Sequence, residues 1–371
     1  MNFLIISHTR HYKVNNQFYA YAPYVREMNL WLNHVDQVYI VAPLSSAFDQ
    51  NINLAYRHQK IAFAEVPAFS LNGLKALLKT LIKLPKILGV IFKSMQQADH
   101  IHLRCPGNMG LLGCLVQIFF PSIPKTAKYA GNWDPKSKQP WSYKLQKWIL
   151  SNTILTKNMQ VLVYGQWLNQ TKNIKPFFTA TYNDSEKEAL YVRNYTKPWH
   201  FCFVGSLSKG KRPQLALQLV NKLRQKGMDA VIHFYGDGEL KTSLNEDIQQ
   251  LNAQDWAFVY GNQPKDVVKK ALKYSHFLIL PSQSEGWPKV VAEAMFWGCI
   301  PIVTPISCVP WMLSNGQRGI LMDSQNIDQT LKQLIDFKET PESLEQLSTN
   351  AAEWSRNYTL DKFEDEIRKL L

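Results

Sequence analysis

Two glutamates, Glu285 and Glu293, stand eight positions apart in a stretch that runs Ser284-Glu285-Gly286-Trp287-Pro288-Lys289 and on to Glu293-Ala294-Met295. An apolar run that reads as a strand, His276–Leu280, precedes it, and a second, Ile300–Val303, follows. Between them Pro288 suits the first turn of a helix, where its missing N–H costs nothing, and Gly298 suits the helix end. Glu285 then lies on a loop and Glu293 inside the helix. Helical side chains lean toward the N-terminus, so the second carboxylate tilts back toward the first. Free N–H groups at a helix start suit an anion such as a diphosphate, whereas a carboxylate suits sugar hydroxyls. The spacing alone is weak, since it recurs at Glu345 and Glu353. That second pair has no strand and no Gly-aromatic turn before it, and it reads as solvated helix surface.

Positioning such groups takes a frame, and the chain supplies one. Candidate strands in the first half are Asn2–Ile6, Val38–Ala42, Ile61–Val66, His100–Leu103, Ala127–Ala130 and Gln160–Tyr164. In the second half Phe201–Val204, Ala230–Tyr235 and Ala257–Tyr260 join the two already named. Helical stretches such as Tyr21–Asn33, Arg212–Lys226 and Asp266–Tyr274 alternate with them. Strand–helix alternation implies parallel sheets covered on both faces. Two such sets predict an α/β protein of two Rossmann-like domains facing a central cleft, spanning 1–195 and 196–354. The seam is expected in the turn-rich Asn194–Pro198, with a charged closing segment, 355–371, packing back on the first domain. Gly236-Asp237-Gly238 follows a strand but lacks the third glycine of a dinucleotide fingerprint, which counts against an ordinary dehydrogenase.

The 371 residues are 46% hydrophobic and 19% charged, a globular composition. The longest apolar stretch, Leu111 to Phe120, is ten positions long and too short to span a bilayer, which takes about 20 residues. The opening MNFLIISHTRHY does not read as a secretory signal. Five cysteines without Cys-x-x-Cys spacing read as thiols in a reducing, cytoplasmic compartment, with no metal site.

The formal charge of +13 is lopsided: residues 1–195 carry 22 Lys+Arg and 9 Asp+Glu, while residues 196–371 carry 20 of each. One half is therefore expected to face something acidic. Lys75, Lys79, Lys83, Lys86 and Lys93 fall in a stripe roughly 80° wide on one predicted helix, with leucines over much of the rest. Such a helix suits the anionic inner face of a cytoplasmic membrane, or a core-packing helix with a solvated face. Pro85 argues for two short helices with a kink. Nucleic acid is not expected, because stacking aromatics and arginines are missing from the stripe.

Ser-Glu-Gly-aromatic, then a second Glu followed by Ala-Met-x-x-Gly-x-Pro-x-Val, resembles the signature of group 1 (family 4) retaining glycosyltransferases of the GT-B fold. Phe201 to Arg212 (FCFVGSLSKGKR) resembles the family's opening strand and phosphate loop, Tyr235 to Glu239 its Gly-x-Gly element, and Val259-Tyr260-Gly261 its nucleotide-side strand. The resemblance implies that Glu293 holds the ribose hydroxyls and Glu285 contacts the donor sugar. It also implies donor contacts from Gly205, Lys211, Arg212, Gly286, Trp287 and Lys289. The chain departs from the family at Ser206, where an arginine is usual, and at Trp287-Pro288, where an aromatic-Gly pair is common.

The first half resembles the family only in outline. His8, Arg10 and His11 follow the first strand and could meet the acceptor or phosphate, or be surface residues. Arg104 could hold an acidic acceptor group. Asp134 occupies the turn where the family often places a catalytic-side histidine, and it also reads as a turn-capping aspartate. The activity implied is transfer of a sugar, with retention and without metal or other cofactor, from a nucleotide-diphosphate sugar to a glycan or lipid-linked acceptor, as in cell-surface polysaccharide synthesis. The sequence holds no Asp-x-Asp. Two alternatives remain: a nucleotide-sugar epimerase or phosphorylase of similar fold, and a basic peripheral membrane-binding protein.

Overall fold

Strands rich in Ile, Val and Phe alternate with amphipathic helices from one end of the chain to the other, and each set of strands closes into a parallel sheet. The computed structural model describes residues 1–50, 52–69, 74–196 and 198–371, and the side chains of all of these except 74–81. The chain divides into two units: Met1–Phe178 with Phe363–Leu371, and Thr179–Lys362.

In the first unit seven parallel strands run in the order Ile174–Phe177, Met159–Tyr164, Lys125–Tyr129, His100–Cys105, Asn2–Ile6, Gln37–Ala42, Ile61–Glu65. Asn2–Ile6 lies inside the sheet, between His100–Cys105 and Gln37–Ala42, with Phe3, Leu4, Ile5 and Ile6 fully buried. Burial of both faces is what a parallel sheet under helices requires. In the second unit six parallel strands run in the order Ala257–Val259, Ala230–Tyr235, Trp199–Val204, Phe277–Leu280, Ile300–Val303, Ile320–Leu321. The aromatic residues of Trp199–Val204 are buried, and Phe201 stacks on Phe277 of the next strand at 5.0 Å.

Four expectations need correction. The seam falls at Phe178/Thr179 rather than after residue 195. The reason is that residues 179–195 are tied into the second unit: Arg193 donates to the carbonyls of Ser275 (2.6 Å) and Trp297 (2.9 Å), and Tyr182 packs on Phe296. At the other end the second unit runs to Lys362, because Ser355 donates to Ala292 O (2.6 Å) and Arg356 to Glu188 O (2.7 Å). Phe363 packs instead with Phe177 and Phe178 of the first unit.

Pro85 does not divide its helix, which runs unbroken over Leu74–Gln96. Pro85 is exposed, while Ile87, Ile91 and Met95 of the same helix are fully buried, and that packing outweighs the lost ladder hydrogen bond and the clash of the ring. Finally, the segment after the first strand is not only loop. His11–Val14, Gln17–Tyr21 and Asn53–Ala55 form a small antiparallel sheet that sequence periodicity did not reveal.

Candidate functional site

At the carboxyl ends of the second unit's strands, loops 205–212, 236–240 and 281–288 are tied together. Gly205 N–H donates to Tyr235 O (2.9 Å), Leu207 N–H to Asp237 O (3.0 Å) and Leu240 N–H to Leu207 O (2.9 Å). This close approach explains the Gly-x-Gly element. A Cβ on Gly236 would stand 1.9 Å from the Gly205 carbonyl oxygen, and the φ of +143° also disfavours any side chain.

Between the first and third loops, Gln283 N–H donates to Gly210 O (2.8 Å), and Arg212 donates to Pro281 O (2.6 Å) and Ser282 O (3.1 Å). Lys211 forms an ion pair with Glu285, both largely shielded from solvent. The structure thus brings Lys211 and Glu285 together, because their strands, Trp199–Val204 and Phe277–Leu280, are neighbours. Arg212, expected to face a diphosphate, instead braces the third loop through two carbonyls. A cavity of about 510 Å³ beside it is lined by Arg212, Gln283, Thr304 and Asp323.

Glu293 lies in the helix Lys289–Phe296 that follows the third loop. Its Oε1 accepts a 2.6 Å hydrogen bond from the Thr181 hydroxyl. Burial raises the Glu293 carboxyl pKa, against the lowering pull of that hydroxyl and of Lys289 and Lys265. Trp287 is buried among Trp311, Trp354 and Tyr358. The Gly286 carbonyl accepts from Ser307 Oγ (3.0 Å) and Cys308 Sγ (3.2 Å). Trp287 therefore anchors the turn by packing, while Gly286 presents its backbone.

Thr181 escaped the sequence reading. It lies 112 positions from Glu293, in a stretch assigned to the other domain, and no local pattern marks it.

In the first unit the named residues separate. His8 and Arg10 line a cavity of about 340 Å³ with Pro43, Phe69, Asn108 and Tyr143. His8 rests on the Gly107 backbone: a Cβ there would come within 2.6 Å of His8 Nδ1. Burial, with the Arg104 charge, lowers the His8 pKa, which favours the neutral ring.

His11 is not in the cavity. It is fully buried, donates from Nδ1 to Thr9 O (2.8 Å) and pairs through Nε2 with the Tyr56 hydroxyl (2.8 Å). Burial holds its pKa at about 4, so it is a neutral core histidine. Arg104 pairs with Glu27 at 2.9 Å, a carboxylate it shares with buried Lys128 at 3.0 Å, and lies over the Tyr24 ring. Asp134 accepts the Lys136 N–H at 2.8 Å, an Asx turn that closes its own loop. Both are internal braces. Of the lysine stripe, Lys83, Lys86 and Lys93 are exposed, and the side chains of Lys75 and Lys79 lie outside the described residues.

Residues 185–354 match the family of group 1 glycosyl transferases. The chain is 23% identical over 240 residues to a D-inositol 3-phosphate glycosyltransferase of Paenarthrobacter aurescens, covering 60% of this chain and 58% of that one. It spans about half the length of the first curated relatives it matches. Among solved structures it resembles sucrose-phosphate synthase of Thermosynechococcus elongatus, with a TM-score of 0.68 at 14% identity, covering 100% of this chain and 98% of that one. HepE of Anabaena in complex with UDP-glucose gives a TM-score of 0.68 at 11% identity, with the same coverage.

Proposed function

Because residues 185–354 are a group 1 glycosyl transferase domain in a chain of GT-B fold, we propose that this protein is a retaining, metal-independent glycosyltransferase. It moves a sugar from a nucleotide-diphosphate sugar to a glycan or lipid-linked acceptor, in cell-surface polysaccharide synthesis. The observation that carries the reading is the Lys211–Glu285 pair. It sets an ammonium suited to a diphosphate beside a carboxylate suited to sugar hydroxyls, at the carboxyl end of a parallel sheet, where such folds bind ligands.

In the proposed reaction the bond from the anomeric carbon to the diphosphate oxygen breaks. The acceptor oxygen bonds to that carbon on the same face, and its proton passes to the departing diphosphate. Lys211 stabilises the charge that develops on the leaving group. Glu293, fixed by Thr181, takes the ribose hydroxyls. The UDP-glucose bound to HepE makes UDP-sugars the first donors to test.

A thermal-shift screen of nucleotide sugars tests the donor, since a ligand that binds only the folded state raises the melting midpoint. Proton NMR of the product tests the mechanism. An inverted anomeric centre overturns retention, loss of turnover in chelator overturns metal independence, and an epimerised free sugar nucleotide favours an epimerase.

One observation favours a membrane surface as the place of work. Ile82 (83% exposed) and Phe92 (38%) share the helix Leu74–Gln96 with exposed Lys83, Lys86 and Lys93, and Phe92 meets Phe119, itself 73% exposed. Exposed apolar groups among lysines suit the headgroup boundary of an anionic bilayer. No helix among the described residues is long and apolar enough to cross a membrane.

A further inference from the structure

The excess positive charge of the first unit has a second place of concentration, remote in sequence from the lysine stripe. The strands Lys125–Tyr129, Met159–Tyr164 and Ile174–Phe177 are consecutive and parallel at one edge of the sheet, so their amino ends lie side by side. That end is opposite to the one from which the loops carrying Asp134 emerge. There a cavity of about 650 Å³ is lined by Lys125, Lys157, Lys172 and Lys175 together with Thr156 and Asn173, and no carboxylate is among the described residues that line it.

The floor of this cavity is rigid. Asn173 is buried and donates to Leu150 O (2.8 Å) and Thr156 Oγ1 (3.2 Å), while Lys125 N–H donates to Asn158 O (2.8 Å). Lys125 is only 2% exposed. Its Nζ donates to Phe120 O (2.5 Å) and Ile123 O (2.8 Å), which uses two of its three protons. A buried ammonium is ordinarily matched by a carboxylate, and this one has two carbonyl dipoles in place of a counter-charge. Desolvation accordingly lowers its pKa to about 8.

We propose that this cavity is an anion site for a phosphate group, with Lys125 as its buried counter-charge and Lys157, Lys172 and Lys175 as its outer contacts. Lysine suits the role as a compact point charge with rotatable donors, and phosphate as the anion that accepts from several at once. The phosphate has two possible sources, a soluble phosphate ester and a lipid headgroup, and the site is independent of the nucleotide reading of loops 205–212 and 281–288.

Trace acylation of lysines, read by mass spectrometry on the full chain, tests the site residue by residue. Inorganic pyrophosphate is compared with phosphatidylglycerol vesicles at constant ionic strength. The expected result is slowed acylation of Lys157, Lys172 and Lys175 by one of these probes, with exposed Lys144 unchanged. Protection by pyrophosphate identifies a soluble phosphate, and protection by vesicles alone identifies a headgroup. In the Lys172→Gln/Lys175→Gln variant the protection of Lys157 should need about tenfold more probe, with the melting midpoint unchanged. Uniform slowing of all exposed lysines, or no slowing by either probe, overturns the proposal, as does undiminished protection of Lys157 in the variant.

Discussion

Lys211 and Glu285, 74 positions apart, are joined in an ion pair that links the loops after two neighbouring strands of the second unit. In the proposed reaction the two groups serve different parts of one donor, so the pair must loosen when a diphosphate arrives. Glu285→Gln removes the carboxylate that competes for the ammonium. A nucleoside diphosphate without its sugar should therefore bind about fivefold tighter, since one hydrogen bond to a charged partner is worth about 1 kcal/mol or more. Turnover of the intact donor should fall. Calorimetry and steady-state rates check the two halves separately, and weaker diphosphate binding in Glu285→Gln would count against the sharing of Lys211.

Thr181 acts through Glu293. Thr181→Val keeps the shape of the side chain and deletes the 2.6 Å hydrogen bond. The expected loss in nucleotide-sugar affinity is about five- to tenfold, read in KM more than in kcat. Thr181→Ser should restore it. An unchanged KM in the valine variant would reduce Thr181 to a packing residue.

Acid should destabilise the fold well before the carboxylates titrate. His11, His100 and His276 are buried, and desolvation lowers each pKa to about 4. His276 shows the reason: Nδ1 accepts the His200 N–H (3.0 Å) and Nε2 donates to Asn194 O (3.3 Å), so an added proton has no acceptor. Below about pH 6.5 the unfolded chain binds protons at these rings and the folded chain does not. Their stability is therefore complete above pH 6.5 and falls between there and pH 4, by up to about 3 kcal/mol for each ring. Urea midpoints at pH 7 and pH 5 decide the matter, with a lower midpoint at pH 5 expected.

Membrane association should follow charge first and apolar contact second. Sedimentation with anionic vesicles is expected, weakening as salt shortens the screening length to roughly 8 Å at physiological strength. Changing Lys83, Lys86 and Lys93 to Gln should abolish it, and Phe119→Ser should reduce it at high salt. Equal partition with neutral and anionic vesicles would leave the lysines as a solvated face.

The sequence by itself determined the two parallel sheets, because burial on both faces leaves continuous apolar strands that show without any tertiary information. It also determined the place of Glu285 and Glu293, since strand, turn and helix starts are written in adjacent residues. What it missed was non-local. The antiparallel strand Asn53–Ala55 pairs with Gln17–Tyr21 across more than thirty intervening positions, with only short, half-buried segments to announce it. The seam between units depended on the fold for a similar reason: residues 179–195 read as the end of the first domain, and Arg193 reaching distant carbonyls, with Tyr182 packed on Phe296, makes them part of the second unit. The same holds for side-chain roles. His11, Arg104 and Arg212 follow or close strands, where the sequence reads them as candidate acceptor or diphosphate contacts, while Asp134 reads also as the turn cap it proves to be. Tertiary structure gave each a buried partner or a turn to close, because a polar group that leaves water must find its hydrogen bonds wherever the fold provides them.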